Sequence, residues 1–328
     1  MPDKPSIFTI GEHHDAYPAI DPRTNPVLSA SLAGRNAVIT GAGRGIGRSI
    51  ALFFTHASVK SLTLIALEQN ELDETTKQCL TINPSLLVLT KAFNVTDALA
   101  VQQLIQEVED KFGGCDILAC NAGRPPQWLS TAECEPGIWW DTVAVSLQHS
   151  FLFSRFALPG MQKRKRGSII FTSSSGAHAP RGMGSYTVGK LGQIRLAEII
   201  HNENFEEFNI KCFAFNPGAV KTRFFTDFED KVKGNIVEAS YVEDGVEGEE
   251  KSASTAYNTL KDVQFDTPEL TAGLVTVLAG GGLDFMSGRY LDARVDVGDY
   301  IRDKEVILRE DLHKVKLHMS GCGDGYAE

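Results

Sequence analysis

Short apolar runs alternate along this chain with longer stretches in which apolar residues recur at helical spacing. The apolar runs have the length of buried strands and lie at 36–40, 62–67, 86–89, 116–119, 168–172 and 210–215. The stretches typical of helices lie between and after them, at 45–56, 70–80, 97–112, 137–163, 185–204 and 268–280. This alternation predicts an α/β fold in which helices cover both faces of a parallel, doubly wound sheet.

The alternation is interrupted at the two ends and once in the interior. Residues 1–33 are rich in proline and show no clear period, which predicts an N-terminal arm before a single domain at 34–298. Residues 224–262 are acidic and have little to bury, so we expect a mobile loop or lid there. After a short strand at 289–291, residues 299–328 are expected to form a partly helical extension with a frayed end.

The charge of the chain argues against two classes of partner. The net charge of −10 is unsuited to a broad surface for nucleic acid or anionic membrane. The basic run at 163–166 precedes an apolar strand and is interpreted as a solvated turn. No stretch reaches the roughly 18 apolar residues of a membrane span, and the start of the chain has no signal-peptide pattern. We therefore expect a cytoplasmic protein.

The six cysteines are scattered along the chain and form no C-x-x-C pair. In a chain of this length such a distribution indicates free thiols in a reducing compartment. It predicts neither a disulfide framework nor a metal site.

A glycine-rich turn follows the first predicted strand and precedes the first predicted helix. Gly41, Gly45 and Gly47 have the spacing G-x-x-x-G-x-G, whereas Ile46 stands where the more common G-x-G-x-x-G would place its last glycine. Residues without Cβ atoms let backbone N–H groups approach a pyrophosphate at the positive end of a helix. The turn therefore predicts a dinucleotide site.

Four further motifs follow the turn in the sequence. They are Asn121-Ala122-Gly123 after the fourth strand, Ser173 thirteen residues before Tyr186, the Y-x-x-x-K pair Tyr186 and Lys190, and Asn216-Pro217-Gly218 with Thr222. In this order, over about residues 34–295, they resemble the short-chain dehydrogenase/reductase family, which has a Rossmann-type fold. The stretches 17–22 and 287–290 resemble fungal members of that family.

The resemblance implies catalytic roles for three side chains. Tyr186 would be the acid and base, Lys190 would lower its pKa and bind the nicotinamide ribose, and Ser173 would orient the substrate oxygen. Ser174 and Ser175 adjoin Ser173, so the choice among these serines stays open. Elementary chemistry agrees, because a phenol with a pKa of about 10 needs its phenolate stabilised. Tyr186 and Lys190 are spaced i and i+4, which places both side chains on one face of a helix.

One position departs from the family pattern. Ser146 stands where the family usually has an asparagine that helps to hold a water of the proton relay, and His149 stands where a glycine is common. A serine can still hydrogen-bond to water but lacks the paired donor and acceptor of an amide. Ser146 is therefore predicted as a relay residue, and His149 as a helix-packing residue or a substitute proton group.

The choice between NAD and NADP depends on the second strand and the glycine turn. Ala66-Leu67 carries no acid that would repel a 2′-phosphate, and Arg44 offers a guanidinium that can pair with one, whereas Glu68 acts against it if it points inward. The sequence favours NADP(H). The predicted cofactor contacts are Gly41, Arg44, Gly45, Ile46, Gly47, Leu67, Glu68, Asn94, Val95, Asn121, Ala122, Gly123, Tyr186, Lys190, Pro217, Gly218, Val220 and Thr222.

These motifs predict an NAD(P)(H)-dependent oxidoreductase that moves a hydride between the cofactor and a ketone or secondary alcohol. Aromatic residues near Trp128 and Phe224, together with the fungal resemblance, favour a bulky apolar substrate of the kind found in secondary metabolism. The family resemblance implies a homo-dimer or homo-tetramer. Two alternatives remain open: a non-redox isomerase, dehydratase or cyclase with a structural nucleotide, and a nucleotide-binding protein without catalysis.

Overall fold

The computed structural model of the chain describes residues 11–179, 181–235 and 248–316. Within these residues seven parallel strands form one sheet in the order β3-β2-β1-β4-β5-β6-β7. The strands are β1 (Asn36–Thr40), β2 (Ser61–Ala66), β3 (Leu87–Ala92), β4 (Ile117–Cys120), β5 (Gly167–Thr172), β6 (Ile210–Asn216) and β7 (Tyr290–Asp292).

Helices cover both faces of the sheet. Those of the body are α1 (Gly45–His56), α2 (Gln69–Ile82), α3 (Ala98–Phe112), α4 (Pro136–Val143), α5 (His149–Arg164), α6 (Gly184–Phe208) and α9 (Pro268–Ala279). α1, α2 and α9 bury their apolar sides in one core cluster, and α3, α5 and α6 bury theirs in a second. The predicted parallel, doubly wound fold is confirmed.

The strand order creates the crevice that positions the site. The chain adds β2 and β3 on one side of β1 and then returns to place β4 on the other side. Because all strand pairs are parallel, the loops after β1, β4, β5 and β6 emerge at the same edge. A crevice at such a point of reversal is where open α/β sheets bind their ligands.

The predicted elements agree with the structure in most places, but two expectations are corrected. The helix expected at 137–163 is divided by a π-helical segment at Ala144–Gln148, between α4 and α5. The stretch 224–262, expected as a loop, contains α7 (Arg223–Val232) and α8 (Glu249–Leu260), because Phe225 and Phe228 give α7 a buried apolar side. Residues 236–247 of that stretch lie outside the described residues.

The two terminal extensions pack on the domain and on each other. The arm, described from residue 11, buries Ile20 against Gly273 of α9, and Tyr17 accepts a hydrogen bond from the backbone of Val297 at 2.8 Å. The C-terminal extension forms α10 (Val297–Arg302) and α11 (Lys304–Arg309). The predicted frayed end, at 317–328, lies outside the described residues.

Two further observations concern membrane-spanning helices and cysteines. Within the described ranges, no helix combines the length and the apolar character that crossing a membrane requires. The five cysteines of these ranges, Cys79, Cys115, Cys120, Cys134 and Cys212, carry free thiols.

Candidate active site

The glycine turn between β1 and α1 has the geometry of a phosphate site. Gly41 and Gly45 adopt positive φ angles of 65° and 51°. A Cβ on Gly47 would lie 2.1 Å from the carbonyl oxygen of Gly41, so the turn closes only around glycine. No side chain in the described part of the chain caps α1, and the N–H groups of its first turn are therefore available to an anion.

Asn121 ties the glycine turn to the neighbouring strand β4. Its backbone N–H donates to Thr40 Oγ1 at 2.9 Å, and its side-chain Nδ2 donates to the Thr40 carbonyl oxygen at 3.2 Å. The N–H of Ala122 also donates to Thr40 Oγ1, at 3.0 Å. The predicted contact residues 121–123 thus form the wall of the crevice beside the turn, and a Cβ on Gly123 would lie 3.8 Å from Lys190 Nζ.

Tyr186 and Lys190 lie together in the first turns of α6, as their spacing predicts. Lys190 Nζ lies 5.5 Å from the centre of the Tyr186 ring and donates to the carbonyl oxygen of Thr172 at 2.6 Å. Both side chains are buried, and burial disfavours their charged forms. Burial raises the pKa of Tyr186 to about 12 and lowers the pKa of Lys190 to about 7.

The serine beside the Tyr186 hydroxyl is Ser174. A hydrogen bond with the Ser174 side chain opposes the rise in the pKa of Tyr186. Ser173 is 1% exposed, and its hydroxyl donates to the backbone carbonyl oxygen of Lys190 at 2.9 Å. The structure therefore does not bring the predicted Ser173 to the tyrosine hydroxyl, because its side chain points back into α6.

Ser146 lies inside the π-helical segment and against α6. A Cβ added at Gly189 would lie 2.7 Å from Ser146 Cβ, so the segment packs directly beside the residue before Lys190. The Ser146 hydroxyl is fully buried and has no hydrogen-bond partner among the described residues. Burial, reinforced by the charge of Lys190, lowers the pKa of His149 to about 3, so its imidazole is neutral. His149 Nε2 lies 3.4 Å from Thr40 Oγ1.

The predicted contact for a 2′-phosphate already has an acidic partner. Arg44 forms an ion pair with Glu71 of α2, with 2.6 Å between Nη1 and Oε1. Glu71 lies over the glycine turn, since a Cβ on Gly43 would be 2.9 Å from its Cβ. Leu67 is 64% exposed and Glu68 is exposed, both at the end of β2.

The predicted adenine contacts lie at the end of β3. Val95 is buried in the second core cluster, and Asn94 is exposed. The side-chain oxygen of Asn94 accepts from the backbone N–H and the hydroxyl of Thr96, at 3.1 and 2.9 Å. Asn94 thus stabilises its own turn, and its contact with adenine stays a prediction.

The loop after β6 crosses the edge of the sheet to reach the glycine turn. Pro217 is held by Thr271 of α9, whose hydroxyl donates to its carbonyl oxygen at 2.8 Å. Val220 pairs with Asp266 in an isolated parallel bridge. At the far end of the loop, Thr222 Cγ2 would lie 2.9 Å from a Cβ on Gly45. The predicted residues Pro217, Gly218, Val220 and Thr222 therefore lie across the mouth of the crevice.

Aromatic side chains cover the open side of Tyr186. Phe224, at the start of α7, has its ring centre 5.5 Å from that of Tyr186. Behind it, Trp128 packs with Phe228 of α7 and with two alanines of α8 in a small separate core cluster. α7 and α8 thus roof the site with apolar surface.

These features fit a nicotinamide dinucleotide. The uncapped first turn of α1 suits the pyrophosphate, and the Lys190 amine beside Gly123 suits the hydroxyls of the nicotinamide ribose. Across the described ranges, no group of three His, Cys, Asp or Glu side chains is arranged to hold a metal ion.

Sequence reasoning favoured Ser173 over the adjoining Ser174, and it did not find Glu71 or the anchors of the loop after β6. Counting back thirteen residues from Tyr186 reaches Ser173, but the register at the end of β5 turns the next serine toward the tyrosine. The three adjoining serines were the one signal that the assignment was open. Glu71 and Asp266 belong to no motif, and their roles follow only from the contacts.

Comparison with known proteins shows which family the sequence matches. A family model described as short chain dehydrogenase matches residues 35–233. The short chain dehydrogenase mpl6 of Monascus purpureus is 32% identical over 311 residues, which cover 93% of this chain and 94% of that protein. The short chain dehydrogenase pigC of Monascus ruber is 27% identical over 314 residues, covering 93% and 92%.

Solved structures show the same fold. The crystal structure of levodione reductase superposes with a TM-score of 0.67 at 20% identity, covering 80% of this chain and 96% of that one. At this identity the similarity concerns the arrangement of strands and helices alone.

Proposed function

Because the chain belongs to the short-chain dehydrogenase family, we propose that it is an NAD(P)(H)-dependent oxidoreductase acting on a ketone or secondary alcohol. The observation that carries the proposal is the meeting of three groups at one edge of the sheet. The Ser174 side chain hydrogen-bonds with Tyr186, Lys190 Nζ lies 5.5 Å from the centre of the Tyr186 ring, and a Cβ on Gly123 would lie 3.8 Å from that amine. This is the arrangement that protonation of a developing alkoxide requires.

Tyr186 and Ser174 act on the substrate oxygen. When bound, the reduced nicotinamide supplies the hydride that adds to the carbonyl carbon. Ser174 donates a hydrogen bond to the carbonyl oxygen and so stabilises the negative charge that develops there. Tyr186 gives its hydroxyl proton to that oxygen, and the ketone, hydride and proton together make the secondary alcohol. In the opposite direction the Tyr186 phenolate takes the proton from the alcohol.

Lys190 stabilises the phenolate form of Tyr186, and Ser146 takes part in the relay that carries its proton. Burial raises the pKa of Tyr186, so the phenolate needs positive charge close by. The Lys190 ammonium supplies such a charge and binds the ribose hydroxyls. We propose that the Ser146 hydroxyl holds a water of the proton relay, because buried polar atoms without a protein partner are usually satisfied by ordered water.

The substrate class follows from the roof of the site. Phe224 lies against Tyr186, and the apolar cluster around Trp128 lies behind it. A carbonyl compound with a bulky apolar body would bury that body against these rings. The resemblance of the sequence to fungal members favours a secondary-metabolite intermediate as substrate.

The direct test is a spectrophotometric assay of the purified protein with NADPH and NADH and a panel of bulky ketones. Loss of absorbance at the nicotinamide band together with alcohol formation would support the proposal. Conversion of substrate without that loss would favour the non-redox isomerase, dehydratase or cyclase. Nucleotide binding without conversion of any compound would favour the non-catalytic alternative.

For the cofactor we propose NADP(H), with Arg44 as the ligand of the 2′-phosphate and Glu71 as its competitor. A charge-assisted hydrogen bond contributes about 1.5–3 kcal/mol, so Arg44→Ala should raise the KM for NADPH by about tenfold or more and change that for NADH little. Glu71→Gln should lower the KM for NADPH, because it replaces the ion pair with Arg44 by a neutral contact and removes a negative charge.

Steady-state kinetics with both cofactors measures these effects. Glu68→Gln is the comparison variant, since Glu68 is exposed at the end of β2 and should shift the preference only if it faces the ribose. Equal effects of Arg44→Ala on NADPH and NADH would instead assign Arg44 to the pyrophosphate or to folding.

We also propose that the chain forms a homo-dimer or homo-tetramer through α5 and α6. Phe151 of α5 and Val188 of α6 are 51% and 49% exposed, so both helices carry apolar side chains that a partner subunit would cover. Light scattering should give a multiple of the 35.8 kDa chain mass, and Phe151→Arg should reduce it. Leu308→Arg on α11 is the control and should leave the mass unchanged. If Phe151→Arg also leaves the mass unchanged, the interface lies elsewhere.

A further inference from the structure

Asp266 is a buried carboxylate that anchors the loop after β6. Its side chain is 1% exposed, and its Oδ2 accepts a hydrogen bond from the N–H of Ala219 at 2.7 Å. Its own backbone N–H donates to the carbonyl oxygen of Ala219 at 2.7 Å. Gly218 has a φ of +85°, and a Cβ there would lie 2.2 Å from Asp266 Oδ2. The carboxylate and the loop therefore fit each other closely.

The other oxygen of Asp266 is bound by the N-terminal arm. Nδ1 of His14 donates to Oδ1 of Asp266. The backbone carbonyl oxygen of His14 accepts from the N–H of Thr267 at 2.9 Å, and the hydroxyl of Thr267 donates to Asp15 at 2.6 Å. The arm lies before residue 35, where the match to the family model begins. Asp266 also lies outside the matched residues 35–233.

We propose that His14 is a positioning residue, which holds Asp266 and through it keeps the Pro217–Ala219 loop in the form that closes over the nicotinamide. The inference rests on the proposed function, because the loop has this task only if a nicotinamide dinucleotide binds. His14 touches the carboxylate and acts on the cofactor through it.

The physical reason is the cost of a buried carboxylate with an unsatisfied oxygen. Such a group either draws in water or rotates toward another donor, since an unpartnered charge is unfavourable in the interior. Either change weakens the hydrogen bond to the N–H of Ala219. The loop would keep its attachments at Pro217 and near Gly45 but lose its shape between them.

The arm offers a matched control in the preceding residue. His13 pairs through Nε2 with Asp296 at 2.9 Å and stacks on Tyr17 with the ring centres 3.7 Å apart. Removing His13 loosens the same arm at the same depth, since the two histidine side chains are 34% and 39% exposed, but it does not touch Asp266. The two variants therefore separate the Asp266 contact from a general loosening of the arm.

The experiment measures binding by calorimetry with ligand pairs that differ only in the nicotinamide. NADPH is compared with 2′-phospho-ADP-ribose, and NADH with ADP-ribose. Because His14→Ala removes a hydrogen bond to a charged group, it should weaken the binding of NADPH and of NADH by about tenfold. For the two ligands without nicotinamide, the dissociation constants of His14→Ala should stay within about twofold of those of the unmodified protein. For His13→Ala the same should hold for all four ligands. His14→Asn should restore binding, because its amide can donate from nearly the position of Nδ1.

The outcomes separate this inference from the proposed function. Equal weakening of ligands with and without nicotinamide would overturn the positioning role, and so would equal effects of His13→Ala and His14→Ala. Failure of His14→Asn to restore binding in a folded protein would also overturn it. If the unmodified protein binds none of the four ligands, the proposed function itself falls and the inference falls with it.

Discussion

Replacing Tyr186 with phenylalanine should lower kcat by about 10²- to 10⁴-fold, the range that general acid–base catalysis supplies. The change removes one hydroxyl and leaves the ring in place. That ring packs beside Phe224, with 5.5 Å between ring centres, and is largely buried, so the fold and the affinity for cofactor should be retained.

The measurement is turnover at saturating cofactor and substrate, together with the melting temperature and the dissociation constant for the cofactor. Tyr257→Phe is the matched control, because Tyr257 belongs to α8 and stacks on Phe225 behind the site rather than facing the substrate. Retention of more than a tenth of the unmodified activity by a folded Tyr186→Phe protein would remove the tyrosine from its proposed role.

Alanine substitution of two adjoining serines should affect different properties of the protein. Ser174→Ala should reduce kcat by about 10²- to 10³-fold, the usual effect of removing one donor to a developing oxyanion. Ser173→Ala should leave kcat within about threefold and lower the stability by about 1 kcal/mol, because it removes one hydrogen bond to the backbone of Lys190.

The pair of variants needs both a kinetic and a stability measurement. Chemical denaturation gives the free energy of unfolding, and single-turnover kinetics gives the rate of the hydride step. The reverse pattern, in which Ser173→Ala abolishes turnover and Ser174→Ala does not, would return the role to Ser173 as the motif spacing predicts.

The sequence alone determined the fold and the proximity of Tyr186 and Lys190. Alternating strands and helices leave few arrangements, because each apolar run must be buried between helical layers. The glycine turn could be recognised because its strand, turn and helix are contiguous. Tyr186 and Lys190 could be paired because two residues spaced four apart on one helix have their side chains on the same face.

The division of the helix at 137–163 and the helices in the acidic stretch depended on packing. The π-helical segment brings Ser146 against Gly189, a contact between residues 43 positions apart in the chain. α7 is stabilised by its aromatic side, which finds Trp128 only in the folded molecule. The local sequence pattern shows that the stretch is acidic, but it does not show that Trp128 packs against its apolar residues.

Only the tertiary structure decided which polar groups meet. Ser174 rather than Ser173 faces Tyr186, because the end of β5 and the loop before α6 set the direction of each side chain. Arg44 meets Glu71 across 27 residues, and His14 meets Asp266 across 252. Such distant contacts follow from how the arm, the helices and the loops pack, since periodicity and motif spacing describe only neighbours along the chain.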